Sequence, residues 1–171
     1  MSRNQRKPME ALQISRLAAD YRSGARSPVE VTRALLKEIE RQQPRINAFI
    51  TVAADTALAQ AEASARRFQA GAPLGLLDGI PYAVKDIIDV AGIPTTLYAG
   101  NIPEKSAVAV EKLEQAGAVM LGKANTSQFA FGATGEISSA GPCCNPYDPE
   151  RISGGSSSGS AAAVSAGLCT F

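Results

Sequence analysis

The chain has 171 residues, 45 % of them apolar and 19 % charged, with a net charge of +1 at pH 7 and no histidine. That length and composition describe a globular protein with one real core, or a part of one. A balance so near neutrality exerts no long-range pull on nucleic acid or anionic lipid, so direct nucleic-acid binding is not expected.

In chain order, the basic opening MSRNQRKPME leads into Ile14, Leu17, Ala18 and Tyr21 at helical spacing, with Gly24 as the stop. Ser27-Pro28-Val29-Glu30 then combines an N-cap hydroxyl, a proline at the first helical position and a glutamate that reaches back. It starts a helix whose apolar face is Val31, Leu35 and Ile39 and whose end is predicted near Pro44. NAFITV (47–52) reads as a strand or as an extended entry to the alanine-rich helix that runs on to Gly71. GIPYAV (79–84) and AVML (118–121) read as buried strands, with a helix from Ser106 to Gly117 between them. This strand, helix, strand rhythm is that of an α/β protein. Asn125 and Gln128 are placed to act as cap and capping-box partner of a further short helix, and 133–153 reads as a long loop.

That loop ends in SGGSSSGSAAAVSAGL (153–168). The Gly/Ser run alone has the composition of a flexible linker. Its continuation is apolar and helix-favouring, so the run reads instead as a tight functional loop entering a buried helix.

No stretch of about 18 apolar residues is present, and the opening segment lacks the apolar run of a signal peptide, so no membrane contact and a cytoplasmic location are expected. Three cysteines, two of them adjacent at Cys143 and Cys144, make a poor disulfide framework. Without histidine they are no zinc site either, and reduced thiols with no metal are expected.

Gly155-Ser156-Ser157-Ser158-Gly159 satisfies G-x-S-x-G with Ser157 at its centre, yet the histidine that activates such a serine is absent from the chain. A phosphate-binding loop fails as well, because Gly159 is followed by Ser160 and Ala161 rather than by lysine and a hydroxyl residue. Lysine remains as a base, since burial lowers its pKa. Of the six, Lys7 lies near the terminus, and Lys37, Lys105 and Lys112 stand in charged helical or loop contexts that read as solvated surface. Lys123, after AVMLG, is a candidate, and so is Lys85, which ends the apolar run GIPYAV. For Lys85 two readings stand: a functional amine, or a side chain that snorkels from a strand end to pair with Asp86 or Asp89.

LDGIPYAVKDIIDVAGIPTT, AGAVMLGKANTSQFAFG and NPYDPERISGGSSSGSAAAVSAGL, in this order over residues 77 to 168, together resemble the amidase signature family. The resemblance implies an α/β fold with a mixed sheet flanked by helices. It also implies hydrolysis or transfer of a small-molecule carboxylic amide by a serine, cis-serine, lysine relay that needs no cofactor and no metal. By motif position Lys85 takes the place of the family's lysine and Ser156 that of the serine preceded by a cis peptide bond. Gly155 relieves crowding at that bond, and Ser157 is left as loop support, a helix cap or an anion contact rather than the nucleophile. The triple-serine form resembles the allophanate-hydrolase-like members.

In the family, the acyl-accepting serine and the glycine-rich oxyanion backbone come after this helix and a further strand. Residues 1–171 are therefore expected to be the N-terminal part of a single amidase-signature domain, incomplete at the C-terminus and inactive alone, whose sheet edges invite a homo-oligomer or a partner chain. The amidase component of a tRNA-dependent amidotransferase carries the same blocks and is one alternative. A non-catalytic binding or interaction module is the other.

Overall fold

The computed structural model describes residues 12–96 and 100–171, so Lys7 and the basic opening stretch lie outside the described residues. The first helix, α1 (Ile14–Ser23), buries Leu17, Ala18 and Tyr21 and ends at Gly24, whose φ of 74° returns its N–H to the Asp20 and Tyr21 carbonyls. The second, α2 (Pro28–Ile46), opens on the expected capping box: Ser27 Oγ accepts from Val29 N at 3.2 Å while Ser27 N donates to Glu30 Oε2 at 3.1 Å.

Helix α2 ends near Pro44, as expected, but runs two residues past it, so that the proline lies inside the last turn. A proline there forfeits one helical hydrogen bond. The two residues beyond it bring Ile46 to complete burial, and Asn47, at φ 50°, closes the helix by donating its N–H to Gln43 O. Burial of a large apolar side chain outweighs the lost bond.

Strand β1 (Phe49–Val52) leads into α3 (Ala54–Gln69), and β2 (Pro81–Lys85), α4 (Val108–Gln115) and β3 (Val119–Ala124) follow. The sheet order is β1-β3-β2, with β3 antiparallel to β1 and parallel to β2, a mixed sheet. Helix α4 begins two residues later than Ser106, whose Oγ accepts from Ala91 N at 3.0 Å instead of capping the helix. The last helix, α5 (Ser158–Ser165), is entered directly from the Gly/Ser loop.

One face of the sheet packs Val119 and Leu121 against α1, α2, α3 and α5 through Leu17, Leu35, Ile39, Ala57, Ala61 and Ala162. The other packs Tyr82, Val84 and Met120 against Val110 of α4. Residues 170 and 171 run along the outer edge of β2, where Thr170 N donates to Pro81 O and Ala83 N to Phe171 O, both at 3.0 Å. On the opposite edge the Gln43 amide brackets Phe49, Nε2 donating to its carbonyl at 2.5 Å and Oε1 accepting from its N–H at 3.1 Å. A side chain thus occupies the place of a neighbouring strand.

The pairing of β2 with β3 shifts by one residue at Leu121. Tyr82 opposes Met120 on the α4 face, but beyond the bulge Ala83 opposes Gly122, Val84 opposes Lys123, and Lys85 opposes Ala124. Strand side chains alternate between faces, so this extra residue reverses the phase of β3. Gly122 makes the close approach possible: its φ is +155°, and a Cβ there would run into the Thr51 carbonyl.

Candidate active site

Three segments converge at the C-terminal end of the parallel pair: Lys85 at the end of β2, residues 125–127 leaving β3, and the 153–157 loop entering α5. The Gly155–Ser156 peptide bond is cis. Lys85 Nζ lies 2.6 Å from Ser156 Oγ. The Ser156 carbonyl accepts twice, from Ser127 N at 3.0 Å and from Thr126 Oγ1 at 2.9 Å. Gly155 has no room for a side chain, since a Cβ there would lie 2.7 Å from Ser127 Oγ and 2.8 Å from both Gly132 O and Gly135 N.

Asn125 is fully buried and ties this cluster to the core. Its Nδ2 donates to Asn47 O at 2.9 Å and Gly141 O at 3.1 Å, and its Oδ1 accepts from Thr126 N at 2.8 Å and Ser138 Oγ at 2.6 Å. Its backbone donates to Ala48 O and accepts from Gly159 N, each at 2.8 Å, which locks the first turn of α5 to the end of β3. The expected cap of Asn125 with Gln128 is therefore replaced. The short element here is a 3₁₀ turn, Gln128–Ala130, with Ser127 at its N-cap position. Asn125 is committed to backbone groups distant in sequence, which a capping pattern cannot reveal.

Burial pushes the Lys85 amine below the ordinary lysine value. Its suggested carboxylate partner is engaged elsewhere: Asp86 Oδ2 accepts from Thr96 N at 2.9 Å and Thr96 Oγ1 at 2.7 Å, while Oδ1 lies 3.7 Å from Lys123 Nζ. Lys123 also donates to Thr95 Oγ1 at 3.2 Å, and Thr95 Oγ1 donates to Asp89 Oδ1 at 3.1 Å. The Lys123 pKa is lowered, chiefly by burial, with Asp86 and Asp89 acting against that shift. Lys123 is thus a buried, paired cation, whereas Lys85 is a partly buried amine facing a hydroxyl. Lys37, Lys105 and Lys112 are exposed, as their contexts imply.

Ser157 is exposed at the N-cap position of α5 without a side-chain bond to the helix, and Ser158 is buried with its Oγ unpartnered. Of the four residues singled out in the loop and on β2, the structure joins Lys85 and Ser156 directly and leaves Ser157 outside the contact. Thr126 and Ser127 went unnoticed in the sequence. Their one signal is an uninterrupted polar run, Asn125-Thr126-Ser127, immediately after a wholly buried strand.

A groove of about 970 Å³ opens elsewhere, between Leu36, Gln43 and Pro44 of α2, Val52 and Pro142, and contains neither Lys85 nor Ser156. Among the described residues no group of acidic, cysteine or histidine side chains is arranged to hold a metal, and no helix is long and apolar enough to cross a membrane.

A family model described as Amidase matches residues 30–171. A subunit of the glutamyl-tRNA(Gln) amidotransferase of Pelobacter propionicus is 47 % identical over 163 residues, covering 93 % of this chain and 33 % of that protein. Its counterpart in Geobacter sulfurreducens is 51 % identical over 148 residues, covering 84 % and 30 %. The structure of native peptide amidase from Stenotrophomonas maltophilia matches with a TM-score of 0.87 at 34 % identity, over 95 % of this chain and 35 % of that one. A bacterial aryl acylamidase of the amidase signature family matches with a TM-score of 0.84 at 29 % identity, over 93 % and 34 %. The chain spans about a third of the length of the curated relatives it matches.

Proposed function

The chain belongs to the amidase signature family, and from that membership we propose that it carries the lysine and middle-serine half of a proton relay for hydrolysis of carboxylic amides. The observation that carries this reading is the 2.6 Å separation of Lys85 Nζ and Ser156 Oγ. A hydroxyl needs a neighbour to take its proton before it attacks a carbonyl, and a chain without histidine needs another base. Burial favours the neutral form of Lys85. In that form its lone pair accepts the Ser156 proton while Ser156 Oγ accepts the proton of the attacking serine. As the acyl–oxygen bond forms and the C–N bond breaks, the proton held on Lys85 returns through Ser156 to the departing amine. No metal or organic cofactor enters these steps.

We place the attacking serine and the oxyanion donors outside these 171 residues, in the part of the relatives' length that the chain does not span. Ser157 is exposed beside the relay and makes no side-chain bond to the helix it precedes. A cytoplasmic setting fits three free thiols. The test is Lys85→Ala and Lys85→Arg in a protein of the relatives' full length. Both should retain the fold and lower kcat by about 10²- to 10⁴-fold. Near-normal turnover would overturn the assignment, and a full-length protein that hydrolyses no amide would point to a binding module.

A specific observation favours one subgroup. The curated relatives at 44 to 51 % identity are subunits of glutamyl-tRNA(Gln) amidotransferases, whereas the solved amidases match at 29 to 36 %. On this second reading the amide is that of glutamine, and the ammonia passes to a partner protein. Comparing turnover of glutamine with that of a peptide amide, with and without the partner, separates the two.

A further inference from the structure

We propose that Thr126 is a positioning residue of this site, its hydroxyl fixing the Ser156 backbone so that the Ser156 side chain faces Lys85. The inference rests on the relay reading above and adds to it the group that sets its geometry.

Ser156 is gripped from two adjacent strands. Its hydroxyl meets Lys85 at the end of β2, and its carbonyl meets Thr126 and Ser127 on the continuation of β3. These two anchors are tied together by the strand pairing, since Lys85 opposes Ala124, two residues before Thr126. The strand pairing therefore sets the distance between the group that holds the carbonyl and the group that meets the hydroxyl.

Thr126 is 4 % exposed. Its single hydroxyl proton has two acceptors in range, Ser156 O at 2.9 Å and Ser127 O at 3.3 Å, and the nearer is on the catalytic loop. Its N–H donates to Asn125 Oδ1 at 2.8 Å, which fixes the backbone that carries the hydroxyl. The Ser127 N–H bond alone leaves the Ser156 carbonyl free to pivot about one contact. The Thr126 bond removes that freedom and so fixes the backbone direction from which the Ser156 side chain reaches Lys85.

The test replaces Thr126 by Val, which keeps the shape and removes the hydroxyl, and by Ser, which keeps the hydroxyl. Lysine side chains carrying a ¹³Cε label are titrated by NMR in this chain, the Lys85 signal being identified by its loss in Lys85→Arg. Asp86 and Asp89 engage Lys123 and the 95–96 segment, so the expected response at Lys85 reflects its own burial beside Ser156. Thr126→Val should raise the Lys85 midpoint toward the ordinary lysine value as the amine gains water, and Thr126→Ser should leave it in place. In the full-length enzyme the same pair should separate in kcat by about tenfold at unchanged KM.

An unchanged midpoint in Thr126→Val, or an equal rise in Thr126→Ser, overturns the proposal. Should the valine variant fail to fold, Thr126→Ala removes the same hydroxyl with less bulk and reads the same quantity. A wild-type Lys85 that titrates at the ordinary lysine value is a different result. It removes the relay reading itself.

Discussion

Lys85 and Lys123 stand on adjacent parallel strands one position out of register, and their amines leave the sheet on opposite faces. Without the extra residue at Leu121, Lys123 would point to the face that holds Ser156. The bulge therefore assigns one lysine to the serine and the other to Asp86.

The assignment of Lys123 to Asp86 has a thermodynamic signature. Both side chains are fully buried, so Lys123→Met leaves Asp86 without its cation and should cost about 3–5 kcal/mol. Urea unfolding of the single variants and of Lys123→Met with Asp86→Asn measures it. The double variant should lose less than the sum of the two.

The first turn of α5 allows no methyl group at Gly159, where a Cβ would run into Ala48 O and Asn125 N. Gly159→Ala should destabilise by about 1–3 kcal/mol or more, since backbone and not a pliable side chain must give way. Ser160→Ala, one residue on and partly exposed, should stay within about 0.5 kcal/mol in the same assay.

Gln43 satisfies both backbone groups of Phe49 on the open side of β1. Gln43→Ala exposes that edge, costing about 1–3 kcal/mol for the two hydrogen bonds lost. It should also raise self-association measured by sedimentation velocity, because an uncovered edge pairs with another strand.

Burial lowers the Lys85 pKa in the fold, so between its folded midpoint and about 10.5 the unfolded chain binds more protons than the folded one. Stability contributed at this position therefore rises with pH across that window, and the full penalty is present below it. The difference in unfolding free energy between the wild type and Lys85→Met, measured from pH 7 to 10.5, should shift with pH in favour of the wild type. The subtraction cancels the tyrosines and cysteines whose raised values act in the opposite sense.

The three thiols should separate kinetically. Cys144 is partly exposed, whereas Cys143 and Cys169 are buried, with burial pushing the Cys169 thiol up to about 12. A maleimide at pH 7.5 should label Cys144 first and the other two only through opening of the fold. Mass spectrometry of the labelled peptides checks this.

Much of this protein is written locally. The box at Ser27 and Glu30, the stop at Gly24 and the apolar stretch after the Gly/Ser loop each draw on neighbours within four residues, so a reading along the chain finds them. The absence of histidine and the lysine ending an apolar strand likewise narrow the chemistry without any coordinates. Tertiary structure decided the rest. Pro44 stays helical because Ile46 finds a core, Asn125 serves carbonyls 78 residues before it and 16 after it, and a bulge selects which of two similar lysines meets Ser156. The physical reason is one of range: caps and turns are satisfied within a few residues, while the phase of a strand and the partner of a buried polar group depend on what packs against them from elsewhere in the chain.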